Sequence, residues 1–146
     1  MKRKMNEPND LARAKSLLTG RVTCAIVRGE HAETSELRGV APLLAWLGGD
    51  FAGYSAADKV VGRAAAFLYV LLGVKALYAA VLSEPAAEVL RAHGISVSYG
   101  RLAARIVNRA GDGLCPMESA VMGEDDPRRA LEKIKVKRME LMQKGG

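Results

Sequence analysis

The stretch from Ser55 to Gly73 constrains the fold of this chain more than any other. Ser55 reads as a helix N-cap, Asp58 follows three residues later in the spacing of a capping box, and Gly73 supplies a stop. The pattern predicts one long helix over 55–72. Val60, Val61, Ala64, Ala65, Phe67, Leu68, Leu71 and Leu72 cover most of its circumference, which places it in the middle of the fold. Its charges, Asp58, Lys59 and Arg63, fall in the first two turns. An acid suits the positive end of a helix dipole and Lys59 does not, so Lys59 reads as a residue kept for something other than stability.

A chain of 146 residues, 49% apolar, can bury one substantial core. Only 5% of it is aromatic, so that core must be built from Ala, Val and Leu. The first ten residues are charged and lead directly into a helical pattern, which argues against a secretory signal and for a cytoplasmic protein. The apolar run from Ala64 to Leu82 is broken by Gly73 and carries Lys75, and its second half reads as a buried strand, so no membrane span is expected. Cys24 and Cys115 are too few for a disulfide framework. The net charge of +6 sits in the tails: Arg128, Arg129, Lys133, Lys135, Lys137, Arg138 and Lys144 outnumber Glu132 and Glu140 near the C-terminus, while the middle of the chain balances. A nucleic-acid groove in the core is therefore disfavoured, and a basic appendage stays open.

Taken in order, Asn9 and Asp10 cap a short helix over 11–19. Residues 21–27 and 31–37 read as a hairpin with a polar second strand, and 43–47 as a short helix with Pro42 in its first turn and Trp46 as packing. After the central helix come a strand over 74–82, a helix from Ser83 to about His93, a strand over 95–99, a turn or helical piece over 100–104 and an extended piece over 105–109. This alternation predicts an α/β fold, a three-layer α/β/α sandwich on a mixed sheet. Residues 1–122 form the single domain and 123–146 a charged, basic C-terminal helix.

Two places carry chemistry. Pro116 fits the first position of a helix, which makes Cys115 its N-cap and Glu118 its third residue. A thiol there feels a positive dipole end and can be a nucleophile; a buried cysteine beside an ordinary cap is the plainer alternative. Asn108 and Arg109, just upstream of the bend at Gly111 and Gly113, are candidate donors to a ligand oxygen. The second place is Asp58 with Lys59 and Arg63: Asp58 can be a simple cap, whereas a partly buried Lys59 would be an acid, base or anion anchor.

The runs Ala57-Asp-Lys-Val-Val-Gly62-Arg-Ala-Ala-Ala66, Arg38-Gly39-Val40 with Pro42-Leu43, and Asn108-Arg109 through Gly113-Leu-Cys-Pro-Met-Glu118 together resemble an uncharacterised bacterial and archaeal family with a cytidine-deaminase-like fold. The resemblance covers roughly residues 11–120 and implies a mixed sheet flanked by helices, with a ligand pocket at the start of the central helix. Zinc deaminases place a His or Cys two residues before a Glu at that helix start and Pro-Cys-x-x-Cys at the next. Here those places read Ala57-Asp58-Lys59 and Ser83-Glu84-Pro85-Ala86, and His31-Ala32-Glu33 lies in the hairpin, so no metal and no cofactor is expected.

The expectation is a pocket for a small, nucleotide-like molecule formed by Asp58, Lys59, Cys115 and Glu118, with Asn108, Arg109 and Arg63 as further ligand contacts and Cys115 as nucleophile or redox thiol. The alternatives are a binding module without catalysis and a nucleic-acid accessory working through the basic C-terminal helix, whose charges are more simply a solvated face. Whether the chain is an enzyme, and whether it forms a homo-oligomer, the sequence leaves open.

Overall fold

The structure, a computed structural model, describes residues 10–108, 110–111 and 113–145. A short helix, α1 (residues 10–16), precedes a hairpin of β1 (Cys24–Arg28) and β2 (His31–Ser35), in which Arg28 pairs with His31 across a two-residue turn. There follow α2 (Ala41–Trp46), β3 (Ser55–Val61), α3 (Arg63–Leu72), β4 (Ala76–Ser83), α4 (Glu84–Ala92), β5 (Ser96–Ala103), α5 (Pro116–Ala120) and α6 (Pro127–Gly145). The five strands form one mixed sheet in the order β2-β1-β3-β4-β5. β1 is antiparallel to both its neighbours, whereas β3, β4 and β5 run parallel. The result is an α/β/α sandwich.

Alternation along the strands assigns the two faces. Cys24, Ile26, Ala56, Leu77 and Ala79 join the large core made with α2, α3, α4 and α6. Val27 and Ala57 point the other way, where Ala14 of α1 covers them with Leu17, Leu18 and Tyr78 alongside. Phe67, Leu68 and Tyr69 of α3 are fully buried, each apolar side chain contributing roughly 1.5–3 kcal/mol by leaving water. Trp46 is packing, its ring 5.9 Å from that of Phe51.

The expected helix over 55–72 is two elements. Residues 55–61 are the central strand, paired with β1 on one side and β4 on the other, and the helix begins only at Arg63 after Gly62 in extended conformation. A strand buried on both faces shows no polar alternation, and a Ser-Ala-Ala-Asp opening carries the letters of a capping box without the conformation. Asp58 here bonds the Val60 amide two residues on, a local turn contact rather than a reach back to a cap. The helix does end at Gly73, and Ser83 caps α4 by accepting from the Ala86 amide at 3.1 Å.

β5 also outruns expectation, because Gly100 continues the strand where the sequence predicts a turn or a helical piece. A Cβ at Gly100 would lie 2.9 Å from the Ala80 carbonyl oxygen and 3.1 Å from the Tyr78 hydroxyl, so this glycine permits close approach of two strands. The apolar run that resembled a membrane span is divided between α3 and β4. Among the described residues no helix is long and apolar enough to cross a membrane.

The basic C-terminal helix is docked for its first half. Ala130 and Ile134 are fully buried against the core. Before it, the Glu124 carboxylate accepts from the Asp125 and Asp126 amides and pairs with Lys133 at 2.9 Å and Arg129 at 3.2 Å. The Lys133 hydrogen bond leads the interactions that pull Glu124 down to about 2. Farther on, Val136, Met139 and Met142 are exposed. Truncating Ile134 to Ala should cost about 2–4 kcal/mol in urea unfolding, and Met139→Ala should stay within about 0.5 kcal/mol of the parent. Equal effects at both positions would mean that the first half of α6 is not part of the folded unit.

Candidate functional site

Because β3 is a strand, Asp58 and Lys59 leave it toward opposite faces, whereas a helix would have carried both at one end. Asp58 lies under α3, 8% exposed, and accepts a hydrogen bond from the Tyr69 hydroxyl at 2.7 Å. Its register partner on β1 is Cys24. Lys59 is half-buried on the other side, where its Nζ donates to the Gly20 carbonyl at 2.9 Å and ties the segment after α1 to the sheet.

Asp58, Tyr69 and Cys24 form a polar cluster beneath the carboxyl end of β3. Burial raises the Asp58 carboxyl from its ordinary 3.8 to about 7, against the opposing hydrogen bonds from Tyr69 and the Val60 and Lys59 amides. Asp58 therefore exchanges its proton near neutrality. Burial, and then the charge of Asp58, push the Cys24 thiol up to about 12, so Cys24 stays a thiol and is a poor nucleophile. The Tyr69 hydroxyl is likewise driven well above its usual value by burial and by Asp58.

Pro116 opens α5, with Cys115 as its N-cap, half-buried and with no side-chain capping bond. Glu118 does not cap α5. It crosses to α3, where Oε1 accepts from the Arg63 amide at 2.6 Å and Oε2 from the Ala64 amide at 2.9 Å. One carboxylate thus satisfies two of the free donors at the start of the central helix and sits at the positive end of its dipole. Gly62 makes room for it, since a Cβ there would stand 2.6 Å from the carboxylate.

These segments enclose a cavity of about 800 Å³ at the carboxyl end of β3, where ligand sites of open α/β sheets lie. Asp58, Lys59, Cys115 and Glu118 all line it. Arg63 does not: its guanidinium turns to the segment before α6, bonding the Glu124 carbonyl and pairing with Asp125 at 3.0 Å, and it lies over the Phe67 ring. Nor is Asn108 a lining residue; its Oδ1 closes a turn by accepting from the Gly111 amide at 2.8 Å. Arg109 lies outside the described residues.

The sequence reading missed a further part of the cavity lining. Arg21, Thr23, Glu36 and Arg38 form it, brought together because the Thr23 amide donates to the Ser35 carbonyl at 2.8 Å and its hydroxyl to the Leu37 carbonyl at 2.5 Å. Only the Arg38-Gly39-Val40 run had been singled out, and its arginine not as a contact. Among the described residues no three His, Cys, Asp or Glu side chains are placed to hold a metal ion. His31 and Glu33 pair with each other on exposed β2 at 2.9 Å, and the His93 ring meets the Val89 carbonyl at the end of α4. At the true start of α3 the chain reads Gly62-Arg63-Ala64, so the comparison made at residues 57–59 belonged to the strand.

A five-stranded mixed sheet with a cavity at the start of its central helix defines an α/β/α domain of one recognisable class. The chain belongs to the family described as TM1506: Domain of unknown function (DUF1893), which matches residues 12–137. It is similar in fold to the crystal structure of a DUF1893 family protein (TM1506) from Thermotoga maritima, with a TM-score of 0.71 over 95% of this chain and 86% of that one, at 23% identity. No curated protein matches the chain.

Asp58 sets a pH dependence whose sign is fixed. Between about pH 4 and 7 the folded chain holds this proton and the unfolded chain has lost it, so the contribution of Asp58 to stability falls as pH rises through that window and levels off above it. Asp58→Asn removes the titration. The stability of the parent minus that of Asp58→Asn, from urea unfolding at pH 4.5 to 7.5, should therefore fall by about 3 kcal/mol. A difference that is flat or rises with pH would contradict a protonated, buried Asp58.

Proposed function

We propose that the cavity is a small-molecule site on a cytidine-deaminase-like scaffold, and that it takes a nucleotide-like ligand. The observation that carries this reading is the convergence of a proton-exchanging carboxyl, Asp58, an amine, Lys59, and a free thiol, Cys115, on a single cavity of about 800 Å³. A cavity of this size suits a nucleoside-sized molecule. The strand order, the antiparallel β1 and the position of the cavity support the deaminase-like comparison. The starts of α3 and α4, Gly62-Arg63-Ala64 and Ser83-Glu84-Pro85-Ala86, favour chemistry by the side chains of the pocket rather than by a deaminase zinc.

In the catalytic form of this reading Cys115 is the nucleophile or redox thiol, Asp58 the group that takes or gives a proton, and Lys59 a positioning cation. Glu118 acts indirectly, by fixing α5 and hence Cys115 against the start of α3. A second reading, ligand binding without turnover, draws support from the same contacts, since Glu118 is committed to two backbone amides and Lys59 to a carbonyl.

Alkylation separates these roles. Iodoacetamide should modify Cys115 in the folded protein and leave Cys24, 1% exposed, untouched until unfolding. Nucleosides that raise the melting temperature should slow modification of Cys115. An inaccessible Cys115, or one whose reactivity no stabilising ligand affects, would remove the thiol from the site. A Cys115→Ser protein that binds the same nucleoside with unchanged affinity and no turnover in either form would select the binding module.

A further inference from the structure

Resting on the reading of the cavity as a ligand site, we infer that its ligand carries a phosphate monoester, seated between Arg21 and Arg38. Both arginines line the cavity and are exposed, and their guanidinium groups have no ion pair or hydrogen bond among the described residues. Surface arginines ordinarily find a carboxylate or simply point to water. The segments that carry these two are fastened together, because Thr23 ties the strand that follows Arg21 to the chain that precedes Arg38 through the Ser35 and Leu37 carbonyls. Lys59 adds a third positive charge, and its bonded neighbour is a neutral carbonyl.

The opposing charges are fewer than the residue types imply. Of the three carboxyl groups on the walls, Glu118 faces the positive end of α3 and two of its amides. Asp58 is buried and hydrogen-bonded to Tyr69, where it holds a proton through much of the range below neutrality. Glu36 alone remains as an exposed carboxylate without a partner among the described residues. The cavity is thus cationic within a part of the chain whose charges otherwise balance. Two guanidinium forks and an ammonium suit a dianionic phosphate better than a singly charged carboxylate. Asp58, a buried lining residue, is left to meet the polar body of the ligand.

The test uses matched probes on the intact chain: adenosine and cytidine, their 5′-monophosphates, and inorganic phosphate. Affinity is measured by calorimetry, and protection of Cys115 from iodoacetamide is followed in parallel. A monophosphate should bind at least tenfold more tightly than its nucleoside, lose that advantage as salt is raised, and lose at least tenfold in the Arg21→Ala/Arg38→Ala protein. Cys115→Ser should keep the preference. Both arginines are exposed, so the double variant should unfold with the parent in urea. If nucleosides bind and protect Cys115 as well as their monophosphates do, or if the double variant keeps full affinity for the monophosphate, the phosphate assignment is wrong while the small-molecule site stands. If no probe binds by calorimetry and none protects Cys115, the site reading falls and this inference falls with it. Inorganic phosphate binding as tightly as the monophosphates would overturn the assignment of an ester in favour of a free-anion site.

Discussion

The carboxylate of Glu118 on the amides of Arg63 and Ala64 is the contact on which the arrangement of the site depends. α5 is only five residues long and none of them is fully buried, Met117 alone packing part of its side chain against the core, so its own packing holds it weakly. The start of α3, by contrast, presents amides with no intrahelical partner and a Gly62 with no side chain in the way. Joining the two satisfies both: α3 gains the acidic cap its own sequence lacks, and α5 gains a rigid neighbour. Because Cys115 stands three residues before Glu118, the same bond places the thiol on the cavity wall. The Arg63 side chain adds a second tether on the far side by holding Glu124 and Asp125, after which Ala130 and Ile134 bury the first half of α6.

Much of the layer order was legible in the sequence because helix stops and turn residues are local signals. Gly73, Ser83 with Pro85, and Pro116 after Cys115 each mark a boundary that tertiary packing has no reason to override. The start of α3 was not legible, for a physical reason. Whether Ser55-Ala-Ala-Asp58 is a cap or a strand is decided by β1 and β4, which flank it and supply its hydrogen bonds from distant parts of the chain. Ala56 and Ala57, both fully buried, have no side chain whose preference could announce this.

The same distinction runs through the candidate site. Cys115 and Glu118 could be singled out from the local Pro116 signal, although the partner of Glu118 lies more than fifty residues away and could not be named. Asp58 and Lys59 reach the cavity from a strand rather than a helix, which is why one meets Tyr69 and the other Gly20. Arg21 gave no signal and Arg38 stood out only within the Arg38-Gly39-Val40 run, not as a contact, since what brings their segments together is the pairing of β1 with β2 and the bonds of Thr23. Arg63 was named for standing near Asp58 in sequence, and in the fold it faces away from the cavity.

What remains to be understood is why a chain with so apolar an interior keeps Asp58, Tyr69 and Cys24 together at its centre. Burial of an acid that titrates near neutrality lowers the stability of the fold at the pH where it works, and an apolar residue of similar size would avoid the loss. Tyr69 relieves part of it by donating to the carboxylate, but that places a second hydroxyl in the core. Elsewhere the sheet is covered on this face by Ile26, Ala56, Leu77 and Ala79, with no polar side chain among them. The exception falls where β3 ends and the cavity begins. A destabilising group confined to the place where a ligand could reach it is the pattern expected when the group is retained for contact rather than for packing, and it makes Asp58, more than the thiol, the residue that sets the proposed pocket apart from the rest of the core.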